Sequence, residues 1–124
     1  MPLIMIAEDE QIVAMDLKNK LRLMGYPESI SVSSGEMAVQ KAKEIKPALI
    51  IMDIVLEGKM DGLEAASKIR EVLNIPIIFL TSHGDDHTTK RAVEIFRDGF
   101  IRILVKPYDE GTLKSAIQSV FKQH

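Results

Sequence analysis

Polar side chains that could do chemistry follow four short apolar runs of the chain, at the point where each run ends. They are Glu8 and Asp9, Asp53, Thr81 with Ser82, and Lys106 with Pro107. If the runs are parallel strands of one sheet, their carboxyl ends share one edge, and ligands of open parallel sheets bind at that edge. We therefore expect these carboxylates, hydroxyls and the lysine ammonium on one rim.

Carboxylates that are brought together repel one another and bind protons more tightly unless a cation is present. Oxygen ligands without cysteine favour Mg²⁺ or Mn²⁺ over zinc, and a magnesium ion often bridges one or two carboxylates to phosphate oxygens. A lysine and a hydroxyl opposite the metal would hold the remaining oxygens of a phosphoryl group. Asp53, at the centre of this set, is then the candidate nucleophile.

The apolar runs at residues 4–7, 48–52, 77–80 and 101–105, with a weaker alternating run at 30–32, alternate with segments of helical period. Unbroken apolar runs are typical of strands that are covered on both faces, hence of a parallel sheet. Gly25 and Pro47 fall where the first two helices should end, and Asp109 is a candidate N-cap of the last one. The pattern predicts an α/β fold, a doubly wound five-stranded parallel sheet with five helices.

Composition narrows the function further. The 124 residues include no cysteine, 16 basic and 18 acidic side chains, so we expect one domain, residues 1–124, without disulfides or thiolate metal sites. The longest apolar run, 48–52, is far shorter than the ~18 residues of a membrane span. Interspersed charges with a net charge of -2 argue against direct nucleic-acid binding. A soluble, cytoplasmic protein is expected.

Five separated segments, each placed at one end of a predicted strand or helix, carry a family resemblance. They read IAEDE at 6–10, IMDI at 51–54, MDGLE at 60–64, LTSHG at 80–84 and VKPY at 105–108. In this order and spacing they resemble a response-regulator receiver domain of two-component signalling, across nearly the whole chain. The resemblance implies a flavodoxin-like fold with sheet order 2-1-3-4-5 and a cis bond between Lys106 and Pro107.

The resemblance also implies a role for each polar residue of the rim. Asp53 would accept a phosphoryl group from a histidine-kinase phosphohistidine, and the chain would act as a signalling switch that catalyses its own phosphorylation and slow dephosphorylation. Direct Mg²⁺ ligands would be Asp9, Asp53 and the Val55 backbone carbonyl, with Glu8 acting through water. Phosphoryl oxygens would be held by Thr81 and Lys106.

The implied partners are a histidine kinase or phosphotransfer protein and an output domain or effector. The output domain or effector would contact the face formed by the fourth helix, fifth strand and fifth helix. Homodimerisation through the same face is a further possibility that the sequence leaves open. No partnership with nucleic acid or a membrane is expected.

Three features depart from the usual receiver pattern. Ile103 stands three residues before the lysine, where an aromatic residue is common, and a β-branched chain cannot perform the usual aromatic rotation. The segment after Asp53 is one residue longer than usual and has Glu57 where proline is frequent. Val55 and His83 lie two residues beyond Asp53 and Thr81, at positions that influence water attack on the acyl phosphate in this family.

Other interpretations stay open at this stage. Glu8 and Asp9 could cap the helix that starts near Gln11, and Thr81 with Ser82 could form only a turn. His83 and His87 are four residues apart, a spacing found in zinc sites, but a third ligand is missing. A pseudo-receiver that binds partners without phosphate is the main alternative function, favoured by Ile103, and a small aspartyl phosphatase is a further one.

Overall fold

The computed structural model describes residues 2–56, 58–82, 90–92, 94 and 101–123. Within them, five parallel strands form one sheet in the order β2-β1-β3-β4-β5. The strands are β1 (Ile4–Ala7), β2 (Ser29–Val32), β3 (Leu49–Asp53), β4 (Ile77–Thr81) and β5 (Ile101–Val105). The predicted fold class and the implied sheet order are confirmed, and β2 lies at an edge of the sheet, as its weak alternating pattern indicated.

The helices lie between the strands. They are α1 (Gln11–Leu23), α2 (Gly35–Ile45), α3 (Gly62–Arg70) and a C-terminal helix (Glu110–Gln123). Residues 90–92 and 94, in the region of the predicted fourth helix, are also helical. The amide of Thr112 donates to the Asp109 carboxylate at 2.7 Å, which confirms the predicted cap. None of the helices in the described ranges has the length and apolar character that crossing a bilayer requires.

Both faces of the three central strands are buried. Alternate residues such as Met5, Met52 and Phe79 pack on one face with buried side chains of α2 and α3. The intervening residues, such as Ile6, Ile51 and Leu80, pack on the other face with α1 and the C-terminal helix. Because each central strand is packed from both sides, the positions of the polar residues at the strand ends are determined by the core.

Two strands extend one residue further than their apolar runs. Asp53 is the last residue of β3 and is paired in register with Leu80 of β4. Thr81 is the last residue of β4 and is paired with Val105 of β5. Each of these polar residues is thus part of the sheet ladder rather than of the following loop, so its backbone position is set by hydrogen bonds to a neighbouring strand.

Candidate functional site

Asp53 lies at the centre of the polar rim and is only 8% exposed. Its Oδ2 accepts a hydrogen bond from Lys106 Nζ at 2.8 Å, and its Oδ1 accepts one from the Val55 amide at 3.1 Å. Gly62 packs directly behind the Asp53 carbonyl, where a side chain would have no room. The Asp53 carboxylate is therefore held by one ammonium and one backbone amide.

Lys106 reaches Asp53 from the other side of β4. Its backbone amide donates to the Thr81 carbonyl at 2.7 Å, which continues the pairing of β5 with β4 beyond Val105. The bond between Lys106 and Pro107 is cis, as the resemblance implied. Burial alone lowers the pKa of Lys106, but the hydrogen bond and negative charge of Asp53 outweigh burial and leave this pKa above 10.5. Lys106 is thus a stable cation at neutral pH.

Glu8 is the second buried carboxylate of the site, with 5% of its surface exposed. Its backbone amide continues the β1–β2 ladder by donating to the Val32 carbonyl at 3.0 Å. Its Oε2 accepts from the Glu10 amide at 3.1 Å. Among the described residues, Glu8 Oε1 has no hydrogen-bond partner, and Lys106 Nζ lies 3.7 Å from it. One buried oxygen of this carboxylate is therefore left without a donor.

The electrostatics of Glu8 reflect this position. Burial is the main cause that raises the pKa of Glu8 from 4.5 to about 7. The neighbouring Asp9 carboxyl and the negative charge of Asp53 raise it further, whereas the Glu10 amide and Lys106 lower it. The site therefore contains more negative charge than its single ammonium compensates, which is the condition that favours binding of a cation.

These oxygens fit a hard divalent cation. The fit rests on the Glu8 oxygen that lacks a donor and on the two buried carboxylates, Glu8 and Asp53, whose oxygens are the ligands that such cations prefer. Among the residues that the structure describes, no three Asp, Glu or His side chains converge on one point. Mg²⁺ commonly binds through one or two carboxylates and keeps several waters, so a triple cluster is not required. The individual ligands stay a prediction.

The structure places the remaining predicted residues as follows. Thr81 is buried at the end of β4, whereas Ser82 and Val55 are exposed. Ile103 is half-buried, is paired in register with Phe79, and packs against the core on the face of α2 and α3. Glu57, His83 and His87 lie outside the described residues, so the zinc hypothesis is not tested.

Tyr108 is a neighbour of the site to which we assigned no role from the sequence. Its side chain packs against the core on the face of α1 and the C-terminal helix. Burial is the main cause that raises the pKa of Tyr108, while the charges of Lys20 and Lys106 lower it. The signal available in the sequence was an aromatic residue directly after the Lys106–Pro107 pair.

Comparison with known proteins agrees with this geometry. The family model "Response regulator receiver domain" matches residues 4–118. The chain is 36% identical over 115 residues to the transcriptional regulatory protein PdtaR of Mycobacterium tuberculosis, covering 93% of the chain and 54% of that protein. It is 28% identical to the regulatory protein PhoP of Bacillus subtilis, covering 97% of the chain and 48% of that protein. The chain thus spans about half the length of these relatives.

Solved structures show the same similarity. A LuxR-family DNA-binding response regulator from Staphylococcus aureus is 27% identical, with a TM-score of 0.86 over 97% of this chain and 98% of that one. The receiver domain of a sensor histidine kinase from Pseudomonas aeruginosa is also 27% identical, with a TM-score of 0.85 over 98% of both chains. That domain has a magnesium ion coordinated in its active site cleft.

The family match covers most of the chain, the sheet order is the one that the resemblance implied, and Asp53 and Lys106 meet at the matching edge of the sheet. The chain therefore belongs to the response regulator receiver domain family of two-component signalling.

Proposed function

We propose that this chain is a phosphorylation switch in which Asp53 accepts a phosphoryl group from the phosphohistidine of a histidine kinase or phosphotransfer protein. The observation that carries the proposal is the buried Asp53 carboxylate, hydrogen-bonded to Lys106 at 2.8 Å and adjacent to the Glu8 oxygen that lacks a donor. This arrangement concentrates one nucleophilic carboxylate, one ammonium and excess negative charge at the edge of a parallel sheet.

In the transfer step, one Asp53 carboxylate oxygen forms a bond to phosphorus as the bond from phosphorus to the donor nitrogen breaks. The electron pair of the breaking bond stays on the imidazole nitrogen, and the product is an acyl phosphate. Lys106, which now binds Asp53, is placed to bind a phosphoryl oxygen instead, and Thr81 would donate to another. Charge neutralisation and positioning are the main contributions that a protein makes to such a transfer.

We assign the metal ligands to Asp9, Asp53 and the Val55 carbonyl, with Glu8 acting through water. Bound Mg²⁺, or Mn²⁺ with the same oxygen preference, would neutralise the charge of the phosphoryl oxygens. The chain's own contribution is to keep these oxygens close together at the rim. Asp9 is half-buried and directly follows Glu8 in the chain.

The partners follow from the position of the chain within its relatives. Because the chain spans about half of each curated relative, we propose that phosphorylation changes contacts with an output domain or effector. The face of the predicted fourth helix, β5 and the C-terminal helix is the proposed contact. Ile103 on β5 packs against the core, so the switch would operate without a rotating aromatic residue. The cytoplasmic location stays a prediction.

The test is intact mass after incubation with acetyl phosphate and Mg²⁺, with and without EDTA. The wild type should gain one phosphoryl group only when Mg²⁺ is present, and Asp53→Ala should gain none. Asp16→Ala, at an exposed aspartate of α1, is the matched control and should be phosphorylated like the wild type. If the folded wild type gains no mass and does not bind beryllofluoride, the phosphate-independent pseudo-receiver is the correct function.

A further inference from the structure

The first turn of α2 and the loop that follows Asp53 approach each other unusually closely at two points. Gly35, the first residue of α2, is buried, and a Cβ there would lie 2.7 Å from the Met60 carbonyl oxygen. Gly58 has a φ of +94°, and a Cβ there would lie 2.5 Å from Glu36 Oε2. Each element thus presents a glycine to the other, and a Cβ at either position would come into close contact with the facing element.

The two contacts differ in how easily they can adjust. Opposite Gly58 is the end of a flexible Glu36 side chain, which can rotate away. Opposite Gly35 is a backbone carbonyl, and the Cβ atoms of Met60 and Ala65 are also within 3.3 Å of the position that a Cβ would take. A side chain at position 35 must therefore displace the loop or α2 itself.

Of the two elements in contact, α2 is held more firmly in place than the loop that follows Asp53. Its first turn is capped by Ser34, whose side chain accepts from the Met37 amide at 3.2 Å. Two residues of the same helix, Ala38 and Ala42, are fully buried in the core. Close-packed interiors resist displacement, so strain at Gly35 is expected to move the loop rather than the helix.

The loop carries backbone groups of the candidate site. The Val55 amide donates to Asp53 Oδ1 at 3.1 Å, and the Val55 carbonyl is a proposed cation ligand. At its base the loop is closed by the Gly62 amide, which donates to the Ile54 carbonyl at 2.7 Å. Because this hydrogen bond ties the two ends of the loop together, a displacement at Met60 would be expected to shift Val55.

We propose that the N-terminus of α2 positions the backbone of Val55 beside Asp53, with Gly35 as the main positioning residue and Glu36 as a secondary one. The expected effect of a displaced Val55 on phosphorylation rests on the proposed function, whereas the positioning of Val55 by α2 does not. Binding groups must be held within ~0.5 Å of their working geometry, and misplacement by ~1 Å can cost a hundredfold in rate. A shift of a few tenths of an ångström at Val55 is therefore measurable.

The first experiment compares Gly35→Ala with Gly111→Ala. Gly111 is also in the first turn of a helix, but a Cβ there would meet only Asp109 Oδ1 at an ordinary 3.4 Å. In metal-free protein, the ¹H–¹⁵N resonance of the Val55 amide should move in Gly35→Ala and stay at its wild-type position in Gly111→Ala. The Mg²⁺ concentration that gives half-maximal phosphorylation by acetyl phosphate should rise about threefold or more in Gly35→Ala alone.

A purely structural role of Gly35 would lower the midpoint of thermal unfolding but leave the Val55 resonance and the Mg²⁺ requirement of the folded protein unchanged. That result would overturn the proposal. The Val55 resonance is read without metal or phosphate, so it stays decisive even if the wild type is never phosphorylated, which would refute only the proposed function.

If Gly35→Ala does not fold, Glu36→Ala decides. It removes the carboxylate over Gly58 and leaves the close contact of Gly35 with Met60 intact. Its control is Glu44→Ala, an exposed glutamate near the other end of α2. The Val55 amide should move in Glu36→Ala and not in Glu44→Ala, and a wild-type Val55 resonance in Glu36→Ala would overturn the proposal.

Discussion

Replacing Glu8 by glutamine should make the metal-free protein more stable at alkaline pH. The folded state binds the Glu8 proton more tightly than the unfolded state, because burial raises the pKa of Glu8 from 4.5 to about 7. Folding therefore favours the protonated carboxyl. The wild type should lose stability as pH rises from about 4.5 through about 7, and the glutamine variant, which cannot ionise, should not show this loss.

The size of the effect follows from the pKa interval. One pKa unit corresponds to about 1.4 kcal/mol, so the interval from 4.5 to about 7 corresponds to about 3 kcal/mol. Part of this loss has already occurred at pH 5. The difference in free energy of unfolding between the variant and the wild type should therefore increase by about 2–3 kcal/mol, in favour of the variant, between pH 5 and pH 8. With a urea m value of about 1–3 kcal/mol/M, the urea midpoint should differ by on the order of 1 M.

The assay is urea unfolding followed by circular dichroism, in EDTA, at several pH values between 5 and 8. Glu10→Gln is the matched control, because Glu10 is an exposed acid two residues further along the chain. Its stability should follow the wild type across the series. Equal pH dependence of Glu8→Gln and the wild type would refute the argument that Glu8 is a desolvated, incompletely compensated carboxylate.

Three further predictions concern single side chains. Lys106→Met should lower the free energy of unfolding in EDTA at pH 7 by about 1–2 kcal/mol, because Asp53 loses a charged hydrogen bond. Urea unfolding measures this difference between the variant and the wild type. The difference should disappear once the pH exceeds the raised pKa of Lys106, above 10.5, where the wild-type lysine also loses its charge. Ser34→Ala should cost about 1 kcal/mol in the same assay, since the Met37 amide loses its cap, and Ser34→Asp should retain most of this stability. Val55→Asn should shorten the lifetime of the phosphorylated protein, measured by loss of the added mass, because exposed Val55 cannot orient a water; equal lifetimes would remove this idea.

The strands and most helix ends could be predicted from the sequence because burial on both faces of a parallel sheet leaves a direct pattern. The same pattern predicted that the third strand ends at Asp53, but it could not show how Asp53 is paired. Its place in the ladder depends on Leu80, a residue of another strand, and pairing between strands is not visible in either segment alone. Asp53 is thus the last residue of β3, as expected, whereas its pairing with Leu80 could not be predicted.

The residues of the candidate site could be predicted from the sequence, but the hydrogen bonds between their side chains could not. Polar residues at the ends of parallel strands must share one edge, so Asp53 and Lys106 were expected to be near each other. Their 2.8 Å hydrogen bond and the missing donor at Glu8 Oε1 depend on side-chain conformations. The close contact of Gly35 with Met60 was equally hidden, because a glycine in a sequence does not reveal which atoms lie against it.

The unbalanced charges of the site are typical of a binding site for a cation and not of an ion pair that only stabilises the fold. A buried ion pair that serves stability needs matched charges and donors for the remaining oxygens. Here Lys106 hydrogen-bonds to Asp53, while Glu8 keeps one oxygen without a donor among the described residues and binds its proton up to about pH 7. This imbalance destabilises the metal-free fold at neutral pH. A cation that binds there would remove the cost, so the groups that weaken the fold are the same ones that would favour its ligand.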